Sequence, residues 1–231
     1  MMKWAYGLCT VPERRNTLLI QTLESLRIAG FDSPRLFIDG DSHDPNEWAK
    51  QFPNFGSTIR SPRIRAYGNW ILGLAELWIR NPEAERFAMF QDDFVTVRNL
   101  REYLTRCPYP EKGYQNLYTF PSNQTLAKTE GWYPSNQFGR GAVALVFDRA
   151  ATMALLQSQE MVERVQDAQR GFKAIDGGVV HALKKKGIRE YVHNPSLVQH
   201  TGLVSAIGNK KHPLATSFRG EGWDCLEMLR G

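Results

Sequence analysis

The sequence predicts an α/β fold: a single domain with a mostly parallel central sheet flanked by helices. Three observations predict it. Short apolar runs alternate with stretches whose apolar residues recur at helical spacing, the pattern of strands joined by crossover helices. Two buried-strand patterns end abruptly in acids, residues 35–38 before Asp39 and Asp41, and residues 87–90 before Asp92 and Asp93; in open α/β sheets, ligands bind at the carboxyl ends of strands. At 231 residues, 42% hydrophobic and 23% charged, the chain suits one domain with a sizeable core.

Residues 4–9 read as the first strand. Thr10-Val11-Pro12-Glu13 has the T-x-x-E form of a capping box, with proline in the first turn. Leu18, Leu19, Thr22, Leu23 and Leu26 then share one helical face until Gly30. Residues 35–38 form a second strand, and residues 40–62 read as loop with one short edge strand near Thr58. A helix from about Asn69 carries Trp70, Leu74, Leu77 and Trp78 and closes at Asn81-Pro82. Residues 87–90 are the next buried strand; residues 103–140 hold many aromatic and turn residues and little periodicity. Residues 142–147 form another strand, after which Asp148 can cap a helix. Asp176 opens a further helix to about Lys186, and loops with a short terminal helix are expected from His193 onward. No internal repeat or low-complexity segment interrupts this order.

Lys and Arg total 29 against 24 Asp and Glu, a net charge of +5, which favours anionic partners: nucleoside diphosphates first, nucleic acid as a second class. Cys9, Cys107 and Cys225 show neither a C-x-x-C pair nor zinc spacing, so reduced, mostly packed thiols are expected. The longest apolar run, residues 142–147, is far short of a membrane span. The amino terminus is soon interrupted by Glu13-Arg14-Arg15 and lacks the regions of a signal peptide. It reads as a core strand, and a cytoplasmic location is expected.

Gln91-Asp92-Asp93 sets two carboxylates at the end of an apolar strand. Carboxylates gathered there repel one another unless a cation lies between them, and oxygen ligands of this kind suit Mg²⁺ or Mn²⁺ together with phosphate oxygens and water. An acid pair also serves as a turn or helix cap, so its weight depends on its surroundings. His200, between an apolar segment and a glycine, would add the nitrogen of a mixed site that suits Mn²⁺; a lone histidine at a strand end more commonly just makes a hydrogen bond. Asp176 stands at a helix amino terminus, where amides and the dipole favour a carboxylate's charge. An ionised carboxylate can take a proton from an attacking hydroxyl, and a plain N-cap aspartate would look the same. His43, His181, His193 and His212 have no comparable setting.

Taken in order, a strand followed by Thr10-x-Pro12-x-Arg14, a strand ending in Asp39, Asp92-Asp93, Gly139-Arg140-Gly141-Ala142, Asp176 and Pro195-Ser196-Leu197-Val198-Gln199-His200-Thr201-Gly202 resemble the GT-A (Rossmann-like) superfamily of nucleotide-sugar glycosyltransferases, in its inverting, family-2-like form. The resemblance runs from about Trp4 to Ser205. It implies Thr10, Pro12 and Arg14 beside the nucleotide, Asp39 near its base or ribose, and Asp92 toward the ribose or sugar. Asp93 and His200 would hold the metal, Asp176 would be the base, and Gly141 with its neighbours would let backbone approach donor sugar or acceptor. The cofactors implied are Mn²⁺ or Mg²⁺ and a nucleoside-diphosphate sugar, a UDP-sugar first. Two positions depart from the pattern: Gln91 is neutral where an acid is usual, and Ile175-Asp176 stands where many inverting members have two acids.

Residues 1–100 would then form the nucleotide-sugar half and residues 101–231 the acceptor half, with a closing loop at 205–219 that includes Gly208, Lys210 and Lys211. Tyr109, Tyr114, Tyr118, Phe120, Trp132 and Tyr133 are expected to wall the acceptor side, about half of them buried. The acceptor classes are a glycan or other small hydroxyl compound, and a hydroxymethylated base of DNA extruded into the site. A non-catalytic nucleotide or sugar binder shares the fold. A nucleotidyltransferase shares the sheet and metal logic, but residues 10–15 lack the glycine-rich loop it needs.

Overall fold

Successive strand side chains point to opposite faces of a sheet, so a strand apolar at every position is covered on both sides. Residues 87–90, Phe-Ala-Met-Phe, are such a strand, and all four are buried. A computed structural model describes residues 2–40, 45–163, 175–201 and 213–230, with backbone alone at residue 45. Its strands are β1 (Trp4–Thr10), β2 (Arg35–Asp39), β3 (Ser57–Arg60), β4 (Arg86–Gln91), β5 (Phe94–Thr96), β6 (Gly113–Asn116), β7 (Gly131–Pro134), β8 (Ala144–Asp148), β9 (Arg189–Asn194) and β10 (Val198–His200). Its helices are α1 (Leu18–Ile28), α2 (Pro45–Gln51), α3 (Arg65–Arg80), α4 (Leu100–Arg106), α5 (Pro121–Gln124), α6 (Arg149–Leu156), α7 (Gln159–Glu163) and α8 (Ile175–Lys184).

Eight strands make one sheet in the order β3-β2-β1-β4-β8-β6-β9-β7. The contiguous block β3-β2-β1-β4 is parallel. β8 runs antiparallel between β4 and β6, β9 returns parallel to β6, and β7 closes the far edge antiparallel. β5 and β10 form a separate antiparallel ribbon. Leu8, Ala88, Phe90, Ala144 and Val146 pack on one face against α1, α2 and α4. Phe37, Phe87, Met89, Leu145 and Phe147 pack on the other face against α3, α6, α7 and α8. The expected α/β class, with a mostly parallel sheet between helical layers, is the architecture observed.

The differences have local causes. Thr10-x-x-Glu13 is no capping box: Pro12–Arg14 is a short 3-10 turn without a side-chain cap, and α1 starts only at Leu18. The 40–62 stretch contains a helix, α2, whose Trp48 stacks at 5.7 Å on Phe52, the residue just beyond it, both of them buried. β6 is fully buried yet reads Gly-Tyr-Gln-Asn, so no apolar run marks it. β9 runs on through His193 to Asn194 and β10 follows it, where loop was expected from His193 onward. Asp148 does cap α6, accepting from Ala151 N at 2.7 Å. Two of the six aromatic residues singled out above, Tyr114 and Tyr118, are buried and the other four half-buried. The three thiols are unpaired, with Cys107 and Cys225 buried. Among the described residues no helix is long and apolar enough to cross a membrane. Asp41, His43 and His212, and most of the expected closing loop with Gly208, Lys210 and Lys211, lie outside the described residues.

Candidate functional site

The parallel block fixes which strand ends meet. Cys9 pairs with Gln91 and Thr10 with Ile38, so the carboxyl ends of β1, β2 and β4 lie along one edge of the sheet. β4 stops at Gln91, and Asp92 and Asp93 form a bend before β5. Both acids are buried, at 3% and 4% exposure, and burial of two adjacent carboxylates demands positive charge and donors. Thr10 Oγ1 donates to Asp92 Oδ2 at 2.6 Å. Arg14 donates from the same nitrogen to Asp92 Oδ1 at 2.5 Å and to Asp93 Oδ2 at 3.0 Å. The 3-10 turn aims it there, closed by Arg14 N to Val11 O and Arg15 N to Pro12 O; Pro12 suits its first position because its φ is already set.

Burial raises the Asp92 carboxyl above its ordinary value; Arg14 opposes this, Asp93 adds to it, and the Thr10 hydrogen bond lowers it again. Burial alone would weaken the Arg14 cation, but Asp92 and Asp93 overcome that and hold it protonated.

The β5–β10 ribbon delivers His200. His200 pairs with Phe94, the residue after Asp93, and Thr201 N donates to Asp93 O at 2.9 Å. His200 Nε2 thereby lies 3.7 Å from Asp93 Oδ2. Asp93 Oδ1 is buried with no hydrogen-bond partner among the described residues. A carboxylate oxygen left over after Arg14 is bound, beside an imidazole, fits the donor set of Mn²⁺ or Mg²⁺ with water and phosphate completing the shell. Among the described residues no group of three or more His, Cys, Asp or Glu gathers into an all-protein metal site.

Asp176 is held separately, on the first turn of α8. Gly141 N donates to its Oδ2 at 2.6 Å and Gly177 N to its Oδ1 at 2.8 Å. Burial nonetheless raises its pKa, and the two amides and Arg140 only partly offset the rise. Burial thus opposes the stabilisation of charge expected at the helix start. Gly141 has φ +77°, and a Cβ there would collide with the Tyr118 ring. Gly139, at φ +67°, lies against the Asp176 carbonyl. The glycines thus let backbone close on Asp176 itself.

Gln91 connects the two parts. Its side chain donates to Ala142 O and its amide to Val143 O, both at 2.8 Å. The neutral residue at the head of the acid motif is therefore a tie to the segment that holds Asp176. Asp39, buried at the end of β2, accepts from Ile64 N at 2.8 Å, just before α3. Sequence reasoning missed Gln199, which clasps Ala215 through both its amide atoms at 2.9 and 3.0 Å, and Glu190, a buried acid on β9. Gln199 stands in the 195–202 stretch quoted above, but nothing there signals its tie to Ala215, and Glu190 stands in no pattern that distinguishes it from any other polar residue of a strand.

No protein-family model matches the sequence, and no curated protein matches it. Solved structures do resemble it. GalNAc-T7, solved with UDP, GalNAc and Mn²⁺, superposes with a TM-score of 0.58 at 10% identity over 87% of this chain and 43% of that one. A protein from Bacillus anthracis assigned as a glucose-1-phosphate thymidylyltransferase, in complex with sucrose, gives 0.50 at 10% identity over 87% and 89%. A mannose-1-phosphate geranyltransferase from Thermus thermophilus gives 0.46 at 17% identity over 83% and 74%. The chain spans less than half the length of GalNAc-T7. At these identities the first two likenesses define the fold, which is of the GT-A type.

Proposed function

We propose that the chain is a glycosyltransferase that moves a sugar from a nucleoside diphosphate, a UDP-sugar first, to an acceptor hydroxyl with inversion. One observation carries this reading: Thr10, Arg14, Asp92, Asp93 and His200 converge at the carboxyl edge of a GT-A sheet. Asp176 is held apart from them across the Gln91 tie. A bound Mn²⁺ or Mg²⁺ would supply positive charge against the departing diphosphate, and Asp93 and His200 are the residues to hold it. Arg14 places a permanent cation at the same point. Thr10 and Arg14 fix the Asp92 carboxylate for the ribose or sugar, while Pro12 and Asp39 border the nucleotide. Asp176 takes the acceptor proton; a carboxylate whose proton affinity is raised by burial is a better base near neutral pH. Residues 1–100 would serve the donor and residues 101–231 the acceptor.

The acceptor is a glycan or small hydroxyl compound; the net charge of +5 keeps hydroxymethylated DNA as a second class. Nucleotidyl transfer is the rival chemistry, given the likeness to the thymidylyltransferase fold, but the turn after β1, residues 11–17, contains no glycine to cradle a triphosphate.

The test is a panel of nucleoside-diphosphate sugars with Mn²⁺, with and without hydroxymethylated duplex DNA, read as nucleoside diphosphate released. Metal-dependent release lost in Asp93→Ala supports the proposal, and a rise with DNA assigns the acceptor. Pyrophosphate release from nucleoside triphosphates and sugar phosphates, with none from the sugar panel, would replace it with nucleotidyl transfer.

A further inference from the structure

Glu190 is 1% exposed, and both of its carboxylate oxygens are engaged. Ser135 Oγ donates to Oε2 at 2.6 Å. The direction is fixed, because that Oγ already accepts from Gln137 N at 3.0 Å and Gln137 Nε2 at 3.1 Å, leaving its own proton for Glu190. On the other oxygen, Oε1, Asn116 Nδ2 donates at 3.1 Å and Tyr114 OH lies at 3.0 Å. The backbone of Glu190 holds the same segment: its N donates to Gln137 Oε1 at 3.0 Å, and its O accepts from Gln137 Nε2 at 2.8 Å and Ser135 N at 3.0 Å. Gln137 is thereby kept at φ +60°, a conformation a glutamine adopts only when its surroundings impose it. Asn116 Nδ2, already on Glu190, also reaches Arg140 O at 3.1 Å. The next residue, Gly141, gives its amide to Asp176.

We propose that Glu190 is a positioning residue for Asp176: from β9 it clasps residues 135–140 so that the Gly141 amide is presented to the Asp176 carboxylate. This rests on the reading of Asp176 as the base. A polar network fully satisfied in a low-dielectric interior defines one geometry, and here the geometry defined is that of the segment beside the reacting carboxylate. The titratable and charged groups facing the pair are Tyr114 on β6 and the Arg140 guanidinium, besides each carboxyl facing the other.

Glu190→Gln preserves shape but replaces one acceptor oxygen by an N–H, which faces either the Ser135 hydroxyl or Asn116 Nδ2, both donors here, so one bond of the clasp is lost in either orientation of the amide. The probe is amide hydrogen exchange of Gly141 in the protein without donor or metal, with the Val146 amide of β8 as the internal control. The expected result is exchange at Gly141 at least tenfold faster with Val146 unchanged, together with kcat for UDP release at least tenfold lower at unchanged donor KM. Unchanged Gly141 exchange in a folded variant overturns the proposal, as does a rise in donor KM with kcat intact. Should Glu190→Gln not fold, Ser135→Ala, which removes the Oε2 donor together with the acceptor for Gln137 N and Nε2 while leaving the Glu190 carboxylate in place, decides by the same two readouts. Asp176→Asn separates the two readings. If that variant turns over like wild type, the base assignment fails, while Gly141 exchange still reports on the clasp.

Discussion

At the scale of single residues, the site is a problem in holding buried charge. Asp92 and Asp93 share the Arg14 cation, and removing one partner of a buried pair leaves charge uncompensated. Arg14→Ala is therefore expected to lower stability by roughly 3 kcal/mol, measured by urea unfolding; a change within experimental scatter would mean that solvent, not Arg14, compensates the pair. Burial raises the proton affinity of Asp92, Asp176 and Glu190 on folding. The folded state then binds more protons than the unfolded chain from about pH 4 upward, where ordinary carboxyls titrate, so this contribution to stability falls as pH rises through the raised values. Asp176→Asn removes one share of that loss, and its unfolding free energy should decline less steeply than that of wild type as pH rises above about 4. Parallel curves would show that Asp176 contributes no such loss.

The placement of several of these residues was legible in the sequence, and for definable reasons. Asp92, Asp93 and Asp176 stand at element boundaries, which apolar periodicity marks. Thr10 has no capping role: its hydroxyl goes to Asp92 across the sheet, a long-range partner that no local pattern encodes. Glu190 and Gln91 were invisible as structural ties because their meaning depends on strand neighbours far away in sequence.

At the scale of elements, two short pieces matter most. The β5–β10 ribbon is three residues a side, yet its register alone places His200 beside Asp93. The glycine segment before β8 is equally exacting: Gly141→Ala must accommodate a side chain against the Tyr118 ring at positive φ. A cost of about 1–3 kcal/mol is expected, with loss of turnover exceeding loss of donor binding because the Gly141 amide serves Asp176. Equal losses would place the segment on the donor side instead. Among the elements missed in the sequence, two lack an apolar run: α2, signalled only by Trp48 and the nearby Phe52, and β6, whose buried Gln115 and Asn116 look like turn residues. Long periodic elements such as α3 were legible, apart from a start four residues earlier than expected, at Arg65.

At the scale of the molecule, a sheet buried on both faces separates stability from chemistry. Trp70 and Phe147 meet edge to face at 6.0 Å in the layer under α3, away from the acid edge. Trp70→Ala should cost about 3–5 kcal/mol and lower the melting temperature, while the folded fraction keeps its donor KM; a raised KM would tie that layer to the site. The central claim, that this edge binds a nucleoside diphosphate through a divalent ion at Asp93, is tested most directly by calorimetric titration of UDP with and without Mn²⁺. The account predicts Mn²⁺-dependent binding to wild type that is lost in Asp93→Ala. UDP binding that is indifferent to Mn²⁺ and to Asp93 would contradict it, as would no binding by wild type of UDP or any other nucleoside diphosphate.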